Sequence, residues 1–249
     1  MNAIGVIPAR WGATRFEGKI LANLLGKPVI QHVWENAKRA KTLDDLIVAC
    51  DDERILKVVE AFGGKAVYTS PDQPSGTDRI AEVVNPLDVA IAVNIQGDEP
   101  LIKPIMIDSL VLALEDEKVA HMATVIKKID DQEELTNSNV VKAVIDKNGY
   151  ALYFSRYAIP YNRTGETDPK KRPVYYKHVG LYAYTKDFLF TLRSLSVSPL
   201  ENAEKLEQLR VLENGYKIKT VETKFDTVGI DRPDDLKKAE DQLLREREK

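Results

Sequence analysis

The sequence predicts an α/β protein in which a mostly parallel β-sheet lies between two layers of helices. Three short, nearly continuous apolar runs, at residues 3–7, 46–50 and 89–95, are typical of strands that are buried on both faces. Helical patterns separate them, since apolar residues recur four apart over residues 28–40 and a second helix follows the capping candidate Asp52. Strand and helix therefore alternate, which favours a sheet whose ligand crevice lies beyond the carboxyl ends of its strands.

The second half of the chain predicts β-rich structure followed by closing helices. No internal repeat or linker is visible, so we predict one domain over residues 1–249 with a smaller β-rich inserted lobe at about 140–195. The charged end at 245–249 is typical of a solvated terminus. The elements predicted here are a helix at 104–115, strands at 140–145, 151–154 and 174–184 around a polar loop at 162–172, and helices at 199–212 and 233–244.

The composition is that of an ordinary globular protein. Of the 249 residues, 43% are hydrophobic and 30% are charged, which excludes the collagen-like, low-complexity and disordered classes. Lysine and arginine number 36 against 39 acidic residues, which leaves a net charge of −3. A general nucleic-acid-binding surface is therefore not expected, and any anionic partner has to be bound locally.

The cysteine and histidine positions limit which disulfides and metal sites the chain can form, and its hydropathy bears on membrane insertion. The single cysteine, Cys50, excludes an intrachain disulfide and a cysteine zinc site, and we interpret it as a packing residue at a strand end. The three histidines are too scattered to suggest a zinc site. The beginning of the chain lacks a signal-peptide pattern, and no run approaches the roughly 20 apolar residues of a membrane span. We therefore expect a soluble, cytoplasmic protein without membrane insertion.

The turn after the first predicted strand, residues 8–19, gathers basic residues and glycines. It contains Arg10, Arg15 and Lys19, together with Gly12 and Gly18. Small residues let backbone N–H groups approach an anion, and guanidinium and ammonium groups neutralise phosphate charge, so the loop could hold a nucleoside triphosphate. The alternative is a solvated basic loop, because arginine and lysine are mostly exposed in any protein.

Two acidic turns are candidates for binding a divalent cation. Asp98 and Glu99 follow the most hydrophobic predicted strand, and a magnesium ion is commonly held by one or two carboxylates together with substrate phosphates. Asp231 could supply the second carboxylate, with Asp226 as a rival. The alternatives are an ordinary turn at the first site and a helix cap at Asp231, since Pro233 marks a helix start.

The remaining candidates are weaker. Residues 75–79 open a helix and could present backbone donors to a base or a ribose, although a capping turn explains them equally well. Four scattered cationic or titratable side chains could bind an acidic substrate, but each taken singly is more often a surface or packing residue. They are Arg156, Lys177, His178 and Arg210.

Taken together, eight sequence blocks resemble the CMP-Kdo synthetase family, the 3-deoxy-manno-octulosonate cytidylyltransferases. The blocks run in order across nearly the whole chain, and the segments containing GDEP and LEQLRVLENG are far more specific than a glycine loop. They are IPARWGATRFEGK at 7–19, CDDERI at 50–55, PSGTDRIAEV at 74–83, VNIQGDEP at 93–100, ALYFSRYAIPY at 151–161, KHVGLYAY at 177–184, EKLEQLRVLENGYKI at 204–218 and VGIDRPDDL at 228–236.

The resemblance implies a Rossmann-like nucleotidyltransferase that works as a homodimer, with the segment around 175–184 in the dimerising lobe. Such an enzyme joins CMP from CTP to the acidic sugar Kdo, or to a close analogue such as 8-amino-Kdo, and releases pyrophosphate for lipopolysaccharide biosynthesis. Two alternatives are a cytidylyltransferase for another acidic sugar such as neuraminate and a nucleotide-binding module without catalysis. The sugar-facing residues would decide between the acidic sugars.

The resemblance also implies residue roles. Arg10, Lys19 and Asp98 would be catalytic, and Asp98 and Asp231 would hold Mg²⁺. The expected nucleotide-binding residues are Ala9, Arg10, Arg15, Lys19, Ser75, Gly76, Arg79 and Gln96. The expected sugar-binding residues are Arg156, His178, Tyr182, Glu207 and Gln208.

The chain departs from the family's usual pattern at a few positions. Phe16 and Glu17 replace a Leu-Pro pair, Cys50 stands where a threonine is common, and Arg232 follows Asp231 where a threonine is frequent. Glu17 puts an acid inside the phosphate loop, which could weaken CTP binding or set the position of the loop. Arg232 removes a preferred capping hydroxyl, which bears on how Asp231 is oriented.

Overall fold

The protein is described by a computed structural model that covers residues 2–12, 15–116, 119–166, 168 and 171–247. Residues 13 and 14 of the predicted phosphate loop, 167, 169 and 170 of the polar loop, and 248 and 249 of the charged end lie outside this range. The strands are β1 (Ala3–Ala9), β2 (Asn23–Leu24), β3 (Lys27–Pro28), β4 (Asp45–Cys50), β5 (Ala66–Tyr68), β6 (Ile91–Asn94), β7 (Met122–Lys128), β8 (Lys142–Ile145), β9 (Ala151–Ser155), β10 (Tyr176–Thr185) and β11 (Ile218–Thr223). The helices are α1 (Val29–Ala37), α2 (Glu53–Ala61), α3 (Gly76–Val84), α4 (Pro104–Glu115), α5 (Gln132–Thr136), α6 (Lys186–Ser194), α7 (Pro199–Glu204), α8 (Gln208–Glu213) and α9 (Pro233–Arg247).

The main sheet is mixed but mostly parallel, which confirms the predicted fold class. Its strands follow the order β11-β7-β10-β6-β1-β4-β5, and β1 pairs in parallel with both β4 and β6. β10 is antiparallel to its neighbours β6 and β7. The other six strands of this order therefore point the same way, and their carboxyl ends share one edge of the sheet, where ligands of such sheets bind.

Burial on both faces explains why β1 has a nearly continuous apolar sequence. Ile7 and Ala9 pack into the cluster that α1 and α4 cover, whereas Ile4 and Val6 pack into the cluster that α3 and α6 cover. Successive side chains of a strand point to opposite faces, so a strand between two helical layers needs apolar residues at every position. The sheet thus lies between two cores.

One predicted helix is wrong in its extent. The pattern over residues 199–212 predicts a single helix, but the structure has α7 and α8 with a break at Lys205, whose φ of 55° lies in the left-handed region. A residue in this conformation ends a helix, because it turns the chain away from the helix axis. A capping box of Ser198 and Glu201 begins α7.

Residues 140–195 both complete the sheet and extend from it. β10 lies between β6 and β7, whereas β8 pairs with the start of β10 and β9 pairs with β8 alone. The boundaries of an inserted lobe and its role in dimerisation stay predictions. Within the described part of the chain, no helix is long and apolar enough to cross a membrane.

Candidate active site

A cavity of about 320 Å³ opens at the carboxyl edge of the sheet, between the turns that follow β1 and β6 and the start of α3. It brings together six of the residues that the sequence singled out for nucleotide binding or catalysis. These are Arg10, Lys19, Ser75, Gly76, Gln96 and Asp98. We refer to it as the first cavity.

These residues converge because the backbone of the turn after β6 lies close to the end of β1. A Cβ atom at Gly97 would lie 3.1 Å from the carbonyl oxygen of Pro8, which is tighter than ordinary van der Waals contact. Glycine therefore lets the turn after β6 lie against the end of β1. Ser75 caps α3 by accepting the Asp78 N–H at 3.0 Å, while Ser75 and Gly76 also line the cavity. The capping and ligand-facing interpretations of residues 75–79 are compatible.

Three charged side chains from distant turns meet beside the first cavity. The Lys19 ammonium lies 2.5 Å from Asp98 Oδ2 and 3.0 Å from Asp231 Oδ1. The backbone joins the same turns, because the Ile230 N–H donates to the Asp98 carbonyl at 2.9 Å. Arg15 Nη2 lies 3.3 Å from the other oxygen of Asp231. The predicted convergence of Asp98 and Asp231 is therefore present in the structure.

The electrostatics of Lys19 reflect this arrangement. Partial burial by itself lowers the pKa of Lys19, because it disfavours the charged form. The charge and hydrogen bond of Asp98, followed by those of Asp231, outweigh burial and raise the pKa above its usual value of 10.5. Lys19 is therefore a fixed cation at neutral pH.

Asp231 does not cap the last helix. Its carboxylate faces Lys19 and Arg15, while Asp235 Oδ2 accepts the N–H groups of Asp231 and Arg232 at 3.2 and 3.0 Å. Asp235 thus makes the half of a capping box in which a side chain of the first turn accepts backbone N–H groups before the helix, while its own N–H donates to the Arg232 carbonyl at 3.0 Å. These ion pairs favour the ligand-facing interpretation of Asp231 over the capping alternative, with Arg232 present at the next position.

Asp226 belongs to a different cluster of charges. Its carboxylate lies 2.6 Å from Lys127 Nζ and 3.2 Å from Lys177 Nζ, and Lys177 also contacts Glu134 at 2.5 Å. These pairs hold the pKa of Asp226 below its usual value although burial acts in the opposite direction. The structure therefore favours Asp231 over Asp226 as the partner of Asp98.

The donor set at Asp98 and Asp231 fits magnesium better than a fully protein-bound metal. No cluster of three or more histidine, cysteine, aspartate or glutamate side chains within the described ranges could hold a metal ion. Magnesium usually keeps several waters and binds one or two carboxylates together with substrate phosphates, which matches two carboxylates at the edge of a cavity. Since Lys19 contacts oxygens of both carboxylates, a divalent cation there would compete with these ion pairs.

Trp11 anchors the loop that carries Lys19. Its indole N–H donates to Glu17 Oε1 at 2.7 Å, the Arg54 guanidinium stacks on its ring at 3.4 Å, and its carbonyl accepts the Gly18 N–H at 3.1 Å. Asp51 Oδ1 accepts the backbone N–H of Trp11 at 3.0 Å. Of the two effects considered for Glu17, this contact favours a role in setting the position of the loop.

Arg79 and Ala9 do not line the first cavity. Arg79 is fully buried, where its guanidinium contacts Asp51 Oδ2 at 3.0 Å and the Thr69 hydroxyl. Ala9 is buried at the end of β1. Arg79 therefore supports the loop indirectly, because Asp51 also binds Trp11. Sequence reasoning missed Asp51, although it follows β4 as directly as the acidic turn follows β6.

The residues expected to face a sugar fall into two places. Glu207 accepts a hydrogen bond from Thr77, next to Gly76 of the first cavity, at 2.5 Å. Tyr182 packs against His178, with ring centroids 5.2 Å apart. Gln208 is buried, and its Nε2 has no hydrogen-bond partner within the described part of the chain. Arg156 lies elsewhere, on a second cavity.

The second cavity has a volume of about 500 Å³ and a strongly polar wall. Four cationic side chains and two carboxylates contribute to it. They are Arg15, Arg156, Arg232 and Lys238 with Asp231 and Asp235. Asp231 therefore borders the second cavity and Asp98 the first, and Lys19 joins the two carboxylates.

Burial shifts three titratable groups near these cavities. It lowers the pKa of His178 to about 3, so the imidazole is neutral, and its Nε2 lies 3.0 Å from the Thr124 hydroxyl. Burial raises the pKa of Glu207, although the hydrogen bond from Thr77 acts against this. Burial and the adjacent Asp98 charge raise the pKa of Glu99 to about 8, which favours its protonated form at neutral pH.

Comparisons with known proteins agree with this geometry. The cytidylyltransferase family model matches residues 4–218. A 3-deoxy-manno-octulosonate cytidylyltransferase of Geotalea uraniireducens (strain Rf4) is 49% identical, with 98% of this chain and all of that protein covered. One of Thermodesulfovibrio yellowstonii (strain ATCC 51303 / DSM 11347 / YP87) is 51% identical, with 96% and 97% covered.

A solved structure extends the likeness to three dimensions. The CMP:2-keto-3-deoxy-manno-octonic acid synthetase complexed with CTP has a TM-score of 0.92 and 41% identity, and the match covers 99% of this chain and all of that one. Both the predicted family resemblance and the nucleotidyltransferase fold are confirmed. The chain therefore belongs to the cytidylyltransferase family, among the 3-deoxy-manno-octulosonate cytidylyltransferases.

Proposed function

We propose that this protein activates the acidic sugar Kdo by transferring CMP to it from CTP, with release of pyrophosphate, for lipopolysaccharide biosynthesis. The observation that carries the proposal is the convergence of Lys19, Asp98 and Asp231 beside a cavity that Arg10 and the start of α3 also line. The relatives named above carry the matching activity in their names.

The chemistry needs placement and charge neutralisation more than a protein nucleophile. The anomeric hydroxyl of the sugar attacks the α-phosphorus of CTP, so an O–P bond forms while the bond from the α-phosphorus to the bridging oxygen breaks. The hydroxyl proton passes to solvent, and pyrophosphate leaves with the electron pair of the broken bond. Arg10 and Lys19 bind the triphosphate and stabilise the charge that develops on the leaving group.

Asp98 and Asp231 would hold a magnesium ion, which supplies charge neutralisation at the phosphates and favours the ionised form of the attacking hydroxyl. Arg15 orients Asp231, since it contacts the carboxylate oxygen that Lys19 does not bind. Ser75, Gly76 and Gln96 provide the nucleotide contacts.

The sugar would lie between the two cavities, where Arg156 offers a cation for its carboxylate. His178 is neutral, because burial lowers its pKa to about 3, so it serves as a hydrogen-bonding group rather than a second cation. Tyr182, Glu207 and Gln208 complete the proposed sugar-binding set. The negative charge of Glu207 is disfavoured by burial, which suits a site for an acidic substrate.

The proposed enzyme is a cytoplasmic homodimer. Four large apolar side chains between residues 152 and 174, in the predicted dimerising lobe, are exposed. They are Leu152, Tyr157, Tyr161 and Val174, with exposed fractions from 55% to 86%. A second copy of the chain would cover such residues.

The decisive experiment measures pyrophosphate release from CTP against a panel of sugar acids, with and without Mg²⁺. We expect release with Kdo that depends on both the sugar and the ion. Release with neuraminate but not Kdo would overturn the substrate assignment. Tight CTP binding with no release for any sugar would instead support a nucleotide-binding module without catalysis.

A further inference from the structure

A buried lysine outside the proposed catalytic set ties together three backbone segments. The side chain of Lys142, in β8, is completely inaccessible to solvent. Its ammonium donates to the carbonyl oxygens of Asn137 at 2.8 Å, Val140 at 2.5 Å and Arg156 at 2.7 Å. An ammonium has three N–H donors, so these three acceptors match the charged form of the group.

Carbonyls rather than a carboxylate compensate the charge of this lysine. Burial lowers the pKa of Lys142, and the nearby Glu204 carboxylate acts in the opposite direction. Hydrogen bonds from a charged donor are stronger than those between neutral groups, which makes the arrangement favourable. A methionine of similar length would fill the space but would donate to none of these carbonyls. Within the described part of the chain, only the Asn137 carbonyl would keep a donor, the Val140 N–H at 3.1 Å.

The segments held in this way form one wall of the second cavity. Asn137, Asn139, Val141 and Arg156 all line it. Lys142 itself does not line the cavity. It donates hydrogen bonds to the carbonyls at both ends of the 137–140 turn and to the carbonyl of Arg156. None of these residues lines the first cavity.

The Arg156 side chain depends on the same segments. Its Nε donates to the Glu204 carbonyl at 2.7 Å and its Nη1 to the Ser138 carbonyl at 3.2 Å. Its backbone N–H donates to Glu204 Oε2 at 2.9 Å, while Ser155 Oγ donates to Glu204 Oε1 at 2.7 Å. The Arg156 guanidinium is therefore positioned by backbone carbonyls of residues 138 and 204. Lys142 binds the turn that contains Ser138, and the Glu204 carboxylate binds the backbone N–H of Arg156.

We infer that Lys142 is a positioning residue for the sugar acid: it fixes the 137–140 turn and Arg156 so that the Arg156 guanidinium meets the substrate carboxylate in one geometry. The inference rests on the proposed function, in which Arg156 faces the sugar. Because the first cavity is built from other segments, loss of Lys142 affects the sugar and leaves CTP binding unchanged.

The test compares Lys142→Met with Lys147→Met, which removes an exposed ammonium from the turn that follows β8. We expect Lys142→Met to raise KM for Kdo at least about tenfold, since each tenfold change corresponds to about 1.4 kcal/mol. KM for CTP stays within about twofold in both variants. A Michaelis constant does not depend on the fraction of folded enzyme, so partial unfolding changes the apparent kcat without imitating this split.

Equal effects on the two Michaelis constants, or none on that for Kdo, would overturn the inference. Ser155→Ala removes the hydrogen bond that Ser155 Oγ donates to Glu204 and the one that it accepts from the Tyr157 N–H, and it is expected to raise KM for Kdo on the order of threefold. It serves as the second variant if Lys142→Met does not fold.

Amide hydrogen exchange provides a readout that does not require turnover. The turn at 137–140 and Arg156 lose protection in Lys142→Met but not in Lys147→Met, and unchanged exchange would contradict the positioning role. If the wild-type protein releases no pyrophosphate with Kdo and CTP, the proposed function fails, while the exchange measurement still decides whether Lys142 holds the wall.

Discussion

Asp98 is the side chain on which the proposed chemistry depends most directly. It lies at a turn rather than in a core, and it shares the Lys19 ammonium with Asp231. We expect Asp98→Asn to lower turnover at least about 100-fold, the order of magnitude of losing one preorganised charge-stabilising group. The substitution conserves shape, and Lys19 keeps its ion pair with Asp231, so the variant should remain folded, which thermal unfolding checks.

Steady-state rates with saturating CTP, Kdo and Mg²⁺ check this expectation. Asp241→Asn, at an exposed position of α9 ten residues after Asp231, is a matched control that removes one carboxylate outside the proposed site. Asp98→Asn with wild-type turnover would rule out Asp98 as a cation ligand.

His178 predicts a pH dependence of stability. Its folded-state pKa is lowered to about 3 from 6.5 by burial, so between these values the unfolded chain binds a proton that the folded protein does not. The free energy of unfolding should therefore fall as the pH decreases below 6.5, by at most about 1.4 kcal/mol for each pH unit. His178→Gln removes this contribution.

Urea denaturation between pH 7 and pH 5 measures the effect. The comparison uses the slope of the free energy of unfolding against pH, because His178→Gln also changes packing against Phe154 and Tyr182. The wild-type protein should show the steeper slope. Parallel slopes would mean that the folded protein accepts a proton at His178.

The phosphate loop depends on one backbone conformation. Gly18 has a φ of 66°, and a Cβ atom there would lie 2.8 Å from the Trp11 ring. We expect Gly18→Ala to lower the free energy of unfolding by about 1–2 kcal/mol through the left-handed backbone, with the ring contact adding to this cost.

Gly12→Ala is the matched control in the same loop. Apart from its chain neighbours, a Cβ atom at Gly12 would meet no atom of the described residues within 4 Å, so we expect little change in stability. Chemical denaturation of both variants measures their free energies of unfolding for this comparison. If both variants were equally stable, Trp11 and Gly18 would not anchor the loop.

The residues just before α9 contribute a side chain to the candidate active site. Its first turn is stabilised by Asp235, which accepts the N–H groups of Asp231 and Arg232. The Asp231 carboxylate instead contacts Lys19 and Arg15, while the Asp235 N–H donates to the Arg232 carbonyl at 3.0 Å. An aspartate before a helix can be either a cap or a ligand, and here the ion pairs of Asp231 with Arg15 and Lys19 favour the second role.

The proposed dimer makes a prediction about mass. The chain has a mass of 28.0 kDa, and light scattering after gel filtration should give twice this value. Leu152→Asp combined with Tyr157→Asp, at side chains 61% and 82% exposed, should shift the protein to a monomer. Burying a carboxylate without a partner costs several kcal/mol, which is enough to dissociate an ordinary dimer.

Leu112→Asp on α4 is the control for the dimer. Leu112 is 50% exposed and lies outside the predicted lobe, so the variant should keep the wild-type mass. A monomeric wild-type protein at micromolar concentration, or a double variant that stays dimeric, would contradict the proposed interface.

The central strands were predictable because their environment is uniform. β1, β4 and β6 are buried on both faces, so their apolar runs are continuous and strand-like. β11 was not predicted, because its sequence, IKTVET, has no continuous apolar run of the kind that marks the central strands. The helix predicted over 199–212 failed at Lys205, whose left-handed conformation no apolar spacing reveals.

The order of strands and turns determined which chemical groups could reach the carboxyl edge of the sheet. Basic residues after the first strand and acids after a central one had to meet there, because parallel strands end on one side. Only the tertiary structure decided that Asp231 rather than Asp226 reaches Lys19, that Arg79 is buried beneath the loop, and that Lys142 holds a cavity wall. Such pairings join residues distant in the chain, and each depends on the packing of the intervening elements.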